Sequence, residues 1–202
     1  FRWDAPRDDI YLCLCRLVPY KRVALVVEAF NCLGLPLVVV GDGPERKRLE
    51  ALAGPTVTLL GRQSQVQVEA LMSSCRAFVY AGLEDFGIAP VEAMAAGAPV
   101  IGLGRGGLLD TVRCATTGLD QATGVLFPHQ SVGSLVEAVS WFEQKRIWRQ
   151  LDAAEIRQWA ERFRPEAFKA RFEVTLRQAW TAHQSRCAVA ASDPAGMSAL
   201  QL

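Results

Sequence analysis

Histidine is scarce in this chain: His129 and His183 are the only two in 202 residues. The six cysteines, at positions 13, 15, 32, 75, 114 and 187, therefore have few imidazoles to complete a closed zinc site, and no metal cofactor is expected. Most of these cysteines lie inside apolar segments, where a reduced thiol behaves as a small hydrophobe, so they read as core residues. Long apolar runs are missing as well. Stretches such as Leu35 to Val40 fall far short of the roughly 18 residues that a membrane-spanning helix needs. Charge of one sign is lacking too: 22 Lys and Arg against 21 Asp and Glu leave a net charge of +1. No nucleic-acid partner follows from that balance, and any anion binding must be local. No charged-then-apolar leader precedes the first strand, which makes a cytoplasmic location the expectation.

Half of the residues are hydrophobic and 21% are charged, the composition of a globular protein. At about 150 residues per domain, the length suggests one domain with appendages. The chain begins with Phe1, and residues 1–9 read as a linker from an N-terminal domain that is missing from this sequence. Residues 10–183 read as the domain with its C-terminal helices, and 184–202, small and nearly uncharged, as a disordered tail.

Short runs rich in β-branched residues alternate with helical patterns, the signature of βαβ units around a parallel sheet buried on both faces. The expected fold is an α/β, Rossmann-like open parallel sheet of about six strands with helices on both faces. Strands are predicted at Ile10 to Cys15, Leu35 to Val40, Thr56 to Leu60, Ala77 to Tyr80, Pro99 to Gly102 and Gly124 to Phe127. Helices are predicted near Arg22 to Leu33, Pro44 to Leu52, Gln65 to Ser74, Pro90 to Ala96, Leu108 to Cys114 and Val132 to Glu143. Two more follow, at about Arg146 to Arg162 and from Pro165 to about His183.

Ligands of such sheets bind beyond the carboxyl ends of the strands, where the strand order reverses. With the order 3-2-1-4-5-6, the loops after the first and fourth strands face each other. The first carries Arg16, a planar fork of donors, and Lys21, a point charge, a pair suited to a diphosphate. The second, GLEDFGIAPVE, leads into a helix whose free amides near Gly87 to Val91 make a ready anion site. Each residue also has a plainer reading. Both cations could simply be solvated, Glu84 and Asp85 could be solvated loop carboxylates, and Glu92, about third in its helix, could complete a cap.

Three glycine-bearing turns complete the set. Gly41 to Pro44 is similar to a nucleotide-binding turn but lacks the three-glycine spacing and a Walker lysine, so turn chemistry explains it as well. Gly61 and Arg62 could flank a nucleobase. Gly104-Arg-Gly-Gly107, at a helix start, favours close backbone approach to a ligand.

Seven residues separate Glu84 from Glu92 within EDFGIAPVEAMAAGAPVI, which resembles the E-x7-E motif in the C-terminal domain of retaining family 4 glycosyltransferases of the GT-B fold. CRLVPYKR, VVVGDGPERKRLEAL, VTLLGRQ, GRGGLLDTV and TGVLF resemble further family segments in the same order, from about Ile10 to Phe127 and more loosely through Phe172. The resemblance implies the donor-binding half of an enzyme that transfers a sugar, with retention, without a metal. Arg16 and Lys21 would neutralise the diphosphate, and Glu92 would bind the ribose hydroxyls. Glu84 would sit beside the transferred sugar, with Asp85, Phe86, Gly87 and Ile88 near sugar and phosphate. Gly61, Arg62, Gly106 and Gly107 would complete the donor site. Similarity to mannosyltransferases of bacterial surface polysaccharides points to GDP-mannose first and a UDP-sugar second, with a glycan or lipid-linked acceptor. Asp110 stands where many members carry Glu. A non-catalytic sugar-nucleotide-binding module and an epimerase of similar architecture are the competing readings. The arginine-rich helices after Arg146 read as an amphipathic pair packed on the sheet. Alternatively, the last one crosses to the missing half or makes peripheral contact with an anionic membrane.

Overall fold

The computed structural model describes residues 3–192. Its centre is a six-stranded, all-parallel sheet of β1 (Tyr11–Leu14), β2 (Leu37–Val40), β3 (Val57–Gly61), β4 (Ala77–Tyr80), β5 (Val100–Leu103) and β6 (Gly124–Phe127). The strand order is β3-β2-β1-β4-β5-β6, so the reversal falls between β1 and β4, as the sequence pattern predicts. Central strands such as AFVY and VIGL are buried at every position because helices cover both faces. The edge strand β3 instead exposes Thr58 and Leu60.

One face packs α1 (Val23–Leu33), α2 (Arg46–Leu52) and α6 (Val132–Gln144) around Tyr11, Phe30, Phe127 and Phe142. The other packs α3 (Gln65–Ser74), α4 (Ile88–Ala95), α5 (Leu108–Thr111) and α7 (Ala153–Ala160) around Met72, Phe78, Met94 and Ile156. Helix ends follow local chemistry. Gly34, at φ +65°, closes α1 with its N–H on the Phe30 carbonyl, and Ser64 with Gln67 forms a reciprocal capping box on α3.

Several boundaries depart from expectation: β2 starts at Leu37 and α2 at Arg46, each two residues later than expected, and four further departures are larger or reshape the site. The helix expected over Arg146 to Arg162 is broken into a 3-10 turn at Ile147–Arg149 and α7, because Asp152 accepts a hydrogen bond from the Ala154 N–H (2.7 Å) and starts a new helix. Helix α5 stops at Thr111, and Cys114 leaves it to bridge to Gly124. Helix α4 starts at Ile88, two residues before Pro90, with Gly87 as its N-cap at φ +86°. The last helix, α8 (Pro165–Ser192), runs nine residues past His183, so the first part of the expected disordered tail is helical. The remainder of that tail, 193–202, lies outside the described residues, as do residues 1 and 2 of the expected linker.

Residues up to Glu161 form one compact unit and those from Arg162 a second, a division that falls before the expected domain end at 183. In the first unit, the segment expected to be a linker is tied down. The Arg7 guanidinium donates to the carbonyls of Ser73 (3.0 Å), Cys75 (3.3 Å) and Ala96 (3.2 Å), and the Asp8 N–H to that of Ser74. In the second unit, α8 exposes Phe168, Phe172, Leu176 and Trp180. Among the described residues, no helix is long and apolar enough to cross a membrane.

Candidate functional site

Because β1 and β4 are neighbours with opposite onward connections, their C-terminal loops diverge and leave a cleft of about 520 Å³ between them. Arg16 and Lys21 line it from the β1 side. Glu84, Asp85, Phe86, Gly87 and Ile88 line it from the β4 side, with Glu92 one turn further along α4. Eight of the twelve residues singled out in the sequence thus converge on one cavity. Gly61, Arg62, Gly106 and Gly107 do not line it. Gly61 ends the edge strand, two strands away from β1, and a Cβ there would meet the Arg46 guanidinium at 2.9 Å.

The glycines after β2 and β5 serve a different purpose, since each pair beds one of the two site loops. A Cβ on Gly41 would stand 1.9 Å from the Cys15 carbonyl oxygen, and one on Gly43 would stand 2.3 Å from that of Leu17. Leu17 N–H donates to Asp42 O, and Glu45 N–H donates back to Leu17 O, so the β1 loop lies directly on the β2 turn. Across the reversal, a Cβ on Gly106 would meet the Glu84 carbonyl oxygen at 2.4 Å, and one on Gly107 that of Asp85 at 2.3 Å. Gly107 N–H donates to the Glu84 carbonyl at 2.8 Å. The backbone approach expected at Gly104 to Gly107 is real, but what approaches is the β4 loop of the same chain.

Charge is distributed unevenly in the cleft. The Lys21 ammonium pairs with Glu84 Oε1 and donates to the Tyr80 hydroxyl at 2.9 Å, while that hydroxyl donates to Glu84 Oε1 at 2.5 Å. Burial alone would raise the Glu84 pKa, yet the hydrogen bonds from Lys21 and Tyr80 and the Lys21 charge hold it below the ordinary value. The Arg16 side chain is exposed, and its guanidinium makes no hydrogen bond or ion pair with any described residue. Glu92 is the fifth residue of α4, past the cap, and its carboxylate is likewise unbonded among the described residues, with its pKa raised by burial. The helix start at Ile88 thus removes the capping explanation for Glu92. The amides of Ile88 and Ala89, left without helical partners, belong to residues that line the cleft.

Tyr80 and Cys15 are among the cleft residues that escaped the sequence reading. Tyr80 is the last residue of β4 and read as core; only its place four residues before Glu84, at the carboxyl end of a central strand, marked it. Cys15 lines the cleft just past the end of β1, on the same side of the strand as Cys13. The neighbouring Cys13 thiol, opposed by burial and Glu84 and aided by the Lys21 charge, lowers the Cys15 pKa. Among the described residues, no group of three or more His, Cys, Asp or Glu could hold a metal ion.

Comparison with known proteins gives this arrangement a context. A GDP-mannose-dependent alpha-mannosyltransferase of Mycobacterium tuberculosis is 34% identical over 119 residues, covering 58% of this chain and 31% of that protein. The N-acetyl-alpha-D-glucosaminyl L-malate synthase of Bacillus anthracis is 29% identical over 175 residues, 82% of this chain and 44% of that protein. Among solved structures, the sucrose-phosphate synthase of Thermosynechococcus elongatus superposes with a TM-score of 0.71 at 27% identity, over 90% of this chain and 47% of that one. The chain thus spans a third to a half of the length of such relatives, and its sheet matches the GT-B fold. The family model for glycosyl transferases group 1 matches residues 3–161, and the chain belongs to that family.

Proposed function

We propose that this chain is the donor-binding half of a retaining, family 4 glycosyltransferase, and that the cleft between β1 and β4 holds the diphosphate of a nucleotide sugar. The observation that carries this reading is the meeting of Arg16, Lys21 and the first amides of α4 in one cavity with two carboxylates, Glu84 and Glu92. A glycosyl donor breaks the bond between its anomeric carbon and the diphosphate, and the departing group gains negative charge. Donors fixed around that charge stabilise it. Here Arg16 supplies an unpaired guanidinium, Lys21 an ammonium and the helix start its free N–H groups, so a metal ion is not required. Glu92 accepts from the ribose hydroxyls, and Glu84 faces the sugar as a binding and electrostatic group, not as a nucleophile.

The names of the mycobacterial relatives favour GDP-mannose as the donor, with a glycan or lipid-linked acceptor held largely by a further N-terminal domain. Those relatives are about three times as long as the matched segment. The test is a calorimetric titration of this chain with GDP-mannose, GDP, UDP-glucose and UDP, alongside mannosyl transfer by a longer protein carrying the upstream domain. Lys21→Ala should weaken diphosphate binding at least about tenfold, roughly 1.4 kcal/mol. Unchanged binding would remove Lys21 from the phosphate site.

A further inference from the structure

The Lys21 ammonium has three donors, of which one goes to Glu84 and one to the Tyr80 hydroxyl. The hydroxyl in turn donates to the same carboxylate oxygen, Glu84 Oε1. The three groups close a ring of hydrogen bonds at the floor of the cleft. Tyr80 itself is 2% exposed, its ring lying 6.5 Å from that of Phe78 in a stacked arrangement, so its hydroxyl is held at a fixed height above the sheet. Lys21 and Glu84 remain partly open to the cleft, with side chains 16% and 23% exposed. Glu84 Oε2 has no partner among the described residues.

In the empty cleft, then, the charge offered to a diphosphate at Lys21 is already neutralised from within. An arriving diphosphate competes with Glu84 for the ammonium and brings negative charge towards a carboxylate that it leaves with Tyr80 alone. A diphosphate that carries a glycosyl group has one fewer ionisable oxygen and brings sugar hydroxyls. These can donate to Glu84 Oε2 and replace the bond that Lys21 gives up. Throughout the exchange the Tyr80 O–H keeps Oε1 in place, which leaves Oε2 turned outward.

We propose that Tyr80, with the Lys21–Glu84 pair that it bridges, makes this cleft discriminate between a glycosylated nucleoside diphosphate and the bare diphosphate, Glu84 acting as an internal competitor that only a sugar-bearing ligand displaces without penalty. Tyr80 is here a positioning residue, acting through Glu84. The proposal rests on the reading of the cleft as a donor site, and its consequence runs against the usual effect of removing a site residue. Neutralising Glu84 should strengthen binding of the bare diphosphate.

The experiment compares the 202-residue chain with its Glu84→Gln, Tyr80→Phe, Lys21→Ala and Glu84→Gln/Tyr80→Phe variants. Each is titrated calorimetrically with GDP, GDP-mannose, UDP and UDP-glucose at one pH and salt concentration, with thermal melts as fold controls. Glu84→Gln should bind the bare diphosphate at least about threefold more tightly and lose most of the preference for the sugar-bearing ligand. Tyr80→Phe should weaken the sugar-bearing ligand about threefold or more, with a smaller effect on the bare one. In the double variant, the Tyr80 change should have no further effect, because the carboxylate through which it acts is gone. Equal weakening of both ligands by Tyr80→Phe, or an unchanged preference in Glu84→Gln, overturns the proposal. If Lys21→Ala weakens binding while the preference never moves, the donor-site reading stands and this inference falls. If Lys21→Ala changes nothing, or the parent chain binds none of the four ligands, both fall.

Discussion

Replacing Gly107 by alanine separates a glycine that touches ligand from one that supports the loop which does. Its φ of −63° is open to any residue, so backbone strain is not the issue. The obstacle is space: the new Cβ would lie 2.3 Å from the Asp85 carbonyl oxygen and 2.6 Å from Phe86 Cα, both backbone atoms that cannot swing aside. Reaching ordinary contact requires the 84–86 segment to retreat by roughly 1 Å, the scale at which misplaced site groups lose about a hundredfold in rate. The same retreat stretches the hydrogen bond from Gly107 N–H to the Glu84 carbonyl. Overpacking of this kind costs about 1–3 kcal/mol, partly offset by about 0.4–1 kcal/mol of lost unfolded-state freedom. For a chain of this size that means a melting temperature lower by up to about 10 °C. The assays are a thermal melt and a GDP titration, with Gly133→Ala, whose Cβ in α6 would meet nothing within 4 Å, as the control that should melt no lower than the parent. A Gly107→Ala variant that melts and binds like the parent refutes the supporting role.

Glu92→Gln should keep or slightly raise thermal stability at pH 7. Burial raises the carboxyl pKa in the folded state, so the ionised group opposes folding above that pKa and its removal relieves the conflict. The advantage of the variant should shrink as the pH falls and the parent carboxyl protonates, while GDP affinity drops about tenfold through loss of one charge-assisted hydrogen bond. A fall in stability at pH 7 would instead mark Glu92 as a structural residue. Cys15 is partly exposed and lines the cleft, so its sulfur serves as an alkylation probe there. Iodoacetamide should carbamidomethylate it, as read by peptide mass mapping, and saturating GDP should slow that reaction at least about fivefold by occupying the cleft. Equal rates with and without GDP would place the nucleotide elsewhere.

The fold was legible because a parallel sheet buried on both faces writes itself as short apolar runs, and helices at a separate period fill the gaps between them. Strands such as AFVY and GVLF fall at the predicted residues. The break at Asp152 was harder to read, since one capping carboxylate interrupts a pattern that remains helical on either side. At the site, the charged residues were legible by type and position: Arg16, Lys21 and Glu84 belong to the two loops at the sheet's reversal, and Glu92 to the first turns of the helix that the second loop enters. The glycines misled for a physical reason. A residue without a side chain permits close approach, but sequence does not say what approaches. After both β2 and β5 it is the neighbouring loop of the same chain. Tyr80 was hidden because a tyrosine in an apolar strand has an ordinary role in the core. Its hydroxyl acquires a function only through Lys21, 59 residues earlier, and Glu84, one loop later.

A crystal structure of the chain soaked with GDP would show whether the cleft between β1 and β4 is a diphosphate site. Phosphate oxygens should lie within about 3.2 Å of Lys21 Nζ, a guanidinium nitrogen of Arg16 and an amide of the α4 start. A nucleotide whose phosphates sit instead on the Gly41–Gly43 turn, or at the edge strand beside Arg62, would contradict it.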